Sequence, residues 1–192
     1  MYKTFILTFL LISHVNLYAQ VRIEHDTSMG LENSVLQIDS DTYLVAHRGN
    51  AEDGFIKTFT VPTDGSSITQ VTSLEHDTNY GYYNSLVHVT GNIYALAYTG
   101  SGNDGFIKTF SIPTDGSSIT QIASLEHDTN RGEYNSLVQV DSDTYVLAYA
   151  GDGYDGFIKT FTISSDGSSI TQVASLEHDT NRGEYNLSLI HI

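Results

Sequence analysis

The chain has 192 residues, 40% of them hydrophobic and 11% aromatic, enough to fill a core and too much for a disordered segment. Its 8 Lys and Arg face 23 Asp and Glu, a net charge of -15, so it repels phosphate backbones and nucleic acid is excluded as a partner. There is no Cys, which excludes disulfides and thiolate metal sites.

An apolar run from Phe5 to Ile12 follows Met-Tyr-Lys, and a polar stretch then leads to Ala19 and Gln20. One Lys, a short apolar core and a small residue before the junction predict an export signal over residues 1–19, cut near Ala19. The mature protein is then secreted or held at a cell surface. The apolar run is too short to span a bilayer, and no later segment is long enough. The Ala19–Gln20 junction resembles those of bacterial export signals.

Residues 20–186 form a tandem array. Leu-Glu-His-Asp-Thr-Asn begins at Leu74, Leu125 and Leu176, a spacing of 51 residues, and a diverged copy begins at Ile23. Asp-Gly-Phe-Ile-Lys-Thr-Phe follows in the same register from Asp53, Asp104 and Asp155. The units are 23–73, 74–124 and 125–175, with a partial fourth over 176–186. A period near 50 residues points to a solenoid, a propeller or an array.

Each unit reads as four strands, expected near 33–39, 42–48, 54–61 and 67–76 and repeating twice more. The second, Thr144 to Ala150 in the third unit, is a nearly continuous apolar run, the mark of a strand buried on both faces. The third, Phe157 to Ile163, is aromatic and β-branched, and Ser165-Asp166-Gly167-Ser168 signals a hairpin. The fourth is more polar. Four short hairpin-linked strands describe an antiparallel, all-β propeller blade, with a paired β-sandwich as the alternative.

On the Phe-x-Lys-Thr-Phe, Asp-Gly and Ile-Thr-Gln pattern, the array resembles kelch-like and lactonase-type β-propellers. It lacks the Gly-Gly doublet of true kelch repeats and has no Trp. Three units do not close a ring, since propellers typically need at least four blades, so an incomplete ring is expected. Gln20 to Asp26 aligns with the end of a fourth strand, which in closed propellers often completes the final blade.

Glu-His-Asp recurs in every copy. Carboxylate and imidazole ligate metals, but neighbours on a strand point to opposite faces and do not converge. By resemblance to Trp-Asp repeat propellers, His76 is expected to bond Asp104, and His127 to bond Asp155, as structural pairs. Asp152-Gly-Tyr-Asp-Gly156 hints at a calcium loop, but only Asp53, Asp104 and Asp155 recur, and Asp-Gly is favoured in turns for local reasons. No cofactor and no metal ligand set is assigned. Lys57, Lys108 and Lys159 read as blade packing or a surface pair.

Units 74–124 and 125–175 agree at 36 of 51 positions, so their differences mark where the scaffold tolerates or uses change. Tyr80 becomes Arg131, Tyr82 becomes Glu133 and Asn103 becomes Tyr154, while Tyr83 and Tyr134 stay constant. These positions fall in the loops before the first strand and between the second and third, which emerge on one face of a propeller. Tyr80, Tyr82, Tyr83, Arg131, Glu133, Tyr134 and Tyr154 are therefore the candidate ligand-binding residues, against drift of surface loops as the bland explanation. No catalytic motif emerges. The leading expectation is a non-enzymatic binding or adhesion module for a glycan or protein. The alternatives are a propeller hydrolase or lyase with catalytic residues elsewhere, and a calcium-stiffened surface array.

The fourth unit matches Leu125 to Asn135 through Asn186 and then loses register. Its last residues, Leu187-Ser-Leu-Ile-His-Ile192, resemble the translation of a sequencing-library adapter, and 187–192 is set aside as a scar.

Overall fold

The computed structural model describes residues 22–183; the export signal expected over 1–19 and the adapter-like end expected over 187–192 lie outside them. Three antiparallel sheets of four strands follow one another. Blade 1 comprises β1 (Leu31–Gln37), β2 (Thr42–Arg48), β3 (Gly54–Thr60) and β4 (Thr69–Asp77). Blade 2 comprises β5 (Tyr82–Thr90), β6 (Ile93–Thr99), β7 (Gly105–Ser111) and β8 (Thr120–Asp128). Blade 3 comprises β9 (Glu133–Gln139), β10 (Thr144–Ala150), β11 (Gly156–Ile163) and β12 (Ile170–Asp179). Within each sheet the strands pair in sequence order, as in a propeller blade. The first strands begin about two residues earlier, and the fourth about two later, than the sequence predicts. The only helical turns among the described residues are single 3-10 turns at 50–52, 101–103 and 152–154.

Blades stack flank to flank, and the core lies in the seams between them. In the first seam Leu44, Ala46 and Ile56 of blade 1 meet Tyr94, Leu96, Tyr98, Phe110 and Ile112 of blade 2. The second seam repeats this one period later, with Ala95, Ala97 and Ile107 against Tyr145, Leu147, Tyr149, Phe161 and Ile163. Aliphatic residues on one flank meet aromatic rings from the other, so each unit carries both halves of the joint. Burying one such ring contributes about 1.5–3 kcal/mol.

The first strands of neighbouring blades run side by side and are tied by polar groups. Leu86 N–H donates to Ser34 Oγ, and Leu137 N–H donates to Ser85 Oγ, both at 3.0 Å. At the opposite ends of the blades, Thr58 Oγ1 donates to the Gly116 carbonyl and Thr109 Oγ1 to the Gly167 carbonyl, both at 2.7 Å. The chain's repetition is thus also a repetition of inter-blade bonds.

Candidate binding face

Two loops of each blade meet on one rim. Gly81 N–H donates to the Glu52 carbonyl, and Gly132 N–H to the Asn103 carbonyl, joining the β4–β5 loop to the first 3-10 turn and the β8–β9 loop to the second. The start of each first strand rises into this rim through a β-bulge. At the bulge all three blades place a non-glycine residue in the left-handed region: Glu32 at φ 55, Tyr83 at φ 52 and Tyr134 at φ 55. Such a conformation costs on the order of 1 kcal/mol or more for a side-chain-bearing residue and gathers at functional sites.

The seven residues predicted from the sequence form one patch here. Tyr80 and Tyr82 rings lie 5.3 Å apart, Tyr82 and Tyr83 6.1 Å, and Tyr83 and Tyr134 4.2 Å. Arg131 donates to Glu133 at 2.9 Å, with its guanidinium 4.0 Å from the Tyr154 ring centre. Two members escape the sequence reading. The Arg48 guanidinium lies 4.1 Å from the Tyr82 ring centre and 4.0 Å from Glu32. Glu32 Oε2 accepts the Tyr83 N–H at 2.9 Å. Both belong to the diverged first unit, at positions equivalent to Thr99 and Tyr83, so alignment of the two similar units passes over them. Burial raises the Glu32 carboxyl pKa, helped by the charge of Glu133, although the Tyr83 N–H and Arg48 oppose it. Burial and Tyr134 push the Tyr83 hydroxyl well above the usual phenol range.

Glu75-His76-Asp77 and Glu126-His127-Asp128 lie elsewhere, at the seams between blades. The expected bond from His76 to Asp104, and its equivalent from His127 to Asp155, do not form. His76 and His127 are buried, and neither ring nitrogen of either has a hydrogen-bond partner. Burial, then a neighbouring lysine, depresses both imidazole pKa values to about 3. Each ring fills the space left by a missing side chain: a Cβ at Gly54 would collide with His76, and one at Gly105 with His127. The Asp-Gly pair therefore makes room for a histidine as it opens the third strand. The histidine's polar companion in the first copy is an asparagine, His25 Nε2 lying 3.0 Å from Asn33 Oδ1. Asn84 and Asn135, the repeats of Asn33, keep a buried Oδ1 without a hydrogen bond. Asp104 lies instead beside Glu126 of its own blade, and this raises the Glu126 pKa beyond what partial burial does alone.

The aspartate of the motif is what crosses the seam. Asp77 Oδ2 accepts the Tyr98 hydroxyl at 2.8 Å, and Asp128 Oδ2 accepts that of Tyr149 at 2.7 Å. Their other oxygens accept turn N–H groups, from Asn79 and Tyr80 and from Asn130 and Arg131. Lys108 donates to the His76 carbonyl and Lys159 to the His127 carbonyl, with Lys159 Nζ 3.5 Å from Asp128. A bulge in the fourth strand, where Gly105 pairs Asp128 but Phe106 pairs Glu126, breaks the expected alternation. His127 and Asp128 consequently both touch Tyr149. The lysines are blade packing. No group of three or more His, Asp and Glu gathers to hold a metal among the described residues.

Solved propellers share this architecture. Sqt1 of Saccharomyces cerevisiae aligns at TM-score 0.57 with 10% identity, covering 86% of this chain and 40% of its own. The periplasmic gluconolactonase PpgL of Pseudomonas aeruginosa aligns at 0.56 with 10% identity, covering 78% and 40%. NanB sialidase of Streptococcus pneumoniae aligns at 0.55 with 12% identity, covering 76% and 23%. These identities carry the fold alone, and the chain spans well under half of each structure it matches. No curated protein sequence matches the chain. The family described as lactonase, 7-bladed beta-propeller matches residues 42–188. Repeat, blades and family match agree, and the chain belongs to the lactonase-type seven-bladed β-propeller family.

Proposed function

We propose that the rim of these blades is a non-catalytic binding face for a neutral polyhydroxylated ligand, a sugar or a glycan chain, displayed outside the cell. The observation that carries this is the pair Tyr83 and Tyr134, held 4.2 Å apart on matched, strained bulges. Rigid aromatic surfaces suit the apolar faces of sugars, and the neighbouring Glu32 and Glu133 carboxylates suit their hydroxyls. A protein ligand would use the same anchors, since buried tyrosines dominate many interfaces. The net charge of -15 is compatible with either. Glycan arrays and calorimetry on the wild type and on Tyr83→Ala/Tyr134→Ala test the reading. Binding lost with an unchanged melting temperature is the expected result; no binding by the wild type to any glycan would reject a sugar ligand.

The family match favours a second reading, hydrolysis of a lactone at this rim. Glu32 is part-buried, and burial together with the nearby charge of Glu133 raises its carboxyl pKa, the direction a general acid needs. Acid release from a sugar lactone in a pH-stat, lost in Glu32→Gln while sugar affinity persists, would select this reading over simple binding.

A further inference from the structure

We infer that the rim holds two sugar subsites, and that its ligand is a chain of neutral sugar units long enough to meet both. This rests on the rim being a sugar-binding face. Arg48 lies over the Tyr82 ring, 4.1 Å from its centre, and 4.0 Å from Glu32. Arg131 lies over the Tyr154 ring, 4.0 Å from its centre, and donates to Glu133 at 2.9 Å. Each group is an arginine, a tyrosine and a glutamate in the same relation. The first triple joins blades 1 and 2, through the end of β2 and the starts of β1 and β5. The second lies within blade 3, on the loop before β9, the start of β9 and the last 3-10 turn.

Repetition does not explain the likeness. One period of 51 residues after Arg48 stands Thr99, and one before Arg131 stands Tyr80. Glu32 aligns with Tyr83, Tyr82 with Glu133, and Asn103 with Tyr154. No member of one triple is therefore the repeat of its counterpart in the other. Copying a unit returns a residue to the same register, as it does in the seams. On the rim the same three residue types are assembled from different registers, so what the triples share is their chemistry.

That chemistry fits a pair of neighbouring hydroxyls. A guanidinium covered on one face by a ring keeps the N–H donors of its edge for hydrogen bonds. The carboxylate beside it only accepts, whereas each sugar hydroxyl both donates and accepts. One positive and one negative group stand in each triple, so neither a cation nor an anion is favoured over a neutral ligand. The four charged side chains are between 10% and 25% exposed, sheltered but within reach from the rim. Tyr83 and Tyr134 bridge the two triples. Tyr82 lies 6.1 Å from Tyr83, Tyr83 lies 4.2 Å from Tyr134, and Tyr134 follows Glu133 in the chain. A ligand that touches both triples crosses both tyrosines, which is further than one sugar ring reaches.

The test measures, by calorimetry on the full chain, affinity for glucose, mannose, galactose and xylose and for their oligomers up to the hexasaccharide. Affinity for the sugar bound best is expected to rise with length by about 10²-fold or more and then level off, because the second subsite is met within one complex. Arg48→Met and Arg131→Met are each expected to bring the longest chain down to about the affinity of the monosaccharide. Arg48→Lys and Arg131→Lys keep the charge and give up the planar fork, and are expected to do the same. They replace either Met variant that melts below the wild type. A monosaccharide bound as tightly as its oligomers would overturn the two subsites and leave the sugar-binding reading standing. So would the full gain with length in any of the arginine variants. No binding of any of these sugars at any length would overturn both.

Discussion

The seams and the rim are written by the same 51-residue unit, yet they treat repetition in opposite ways. In the seams His76, Asp77, Tyr98 and Lys108 recur unchanged as His127, Asp128, Tyr149 and Lys159, with the same bonds in both copies. On the rim Leu31 becomes Tyr82 and then Glu133, and Met29 becomes Tyr80 and then Arg131. A seam residue answers to two neighbours at once, the blade that carries it and the blade that receives it. A rim residue answers to one neighbour and to solvent. Repetition is held where a change must be matched across a joint and relaxed where it need not be.

The largest way to break this contrast is to cut the seam at its aspartate. Asp128→Ala removes the acceptor for Tyr149, the turn cap for Asn130 and Arg131, and the counter-charge of buried Lys159. A loss of about 3–5 kcal/mol is expected, because a buried cation is left unpaired. Denaturant unfolding reads it, and a loss below about 1 kcal/mol would place this network outside the stability of the seam.

Acid sharpens the contrast next. His76 and His127 have folded pKa values of about 3 against an ordinary 6.5, so below pH 6.5 the unfolded chain binds protons that the folded chain refuses. Stability is therefore fully present above pH 6.5 and falls as pH drops from there toward 3. The expected loss is roughly 2 kcal/mol per histidine at pH 5. Melting curves across this window should flatten in His76→Leu/His127→Leu, and an unaltered slope would contradict burial of the neutral rings.

Much of the seam was legible in the sequence, and part of it was misread for a reason. Period, strand count and a doubly buried second strand follow from spacing and apolar pattern alone. The histidine's partner did not follow, because the Glu-His-Asp strand carries a bulge that periodicity does not encode. That bulge turns His127 and Asp128 to one side and gives the aspartate the inter-blade role. On the rim, variation between similar units found Tyr82 and Tyr154. Arg48 and Glu32 were missed because they stand in the diverged unit, and the left-handed bulge that aims Tyr83 and Tyr134 has no glycine to announce it.

Smaller effects should separate seam from rim still further. Tyr149→Phe deletes one hydroxyl donated to a carboxylate and should cost about 1.5–3 kcal/mol, with ligand binding untouched. Tyr83→Gly relieves the positive φ but gives up contact with Tyr134, so its net change in stability should stay within about 1 kcal/mol of zero. A large loss at Tyr83 would make the bulge part of the folding core.

The most direct test crosses the two regions in one experiment. His127→Ala and Tyr83→Ala/Tyr134→Ala are compared for melting temperature and for affinity to the best ligand found on a glycan array. The histidine change is expected to lower the melting temperature and leave affinity in place, while the tyrosine pair abolishes binding and leaves melting in place. If His127→Ala instead removes binding without lowering the melting temperature, the working site lies in the Glu-His-Asp seams, and the division between seam and rim is wrong.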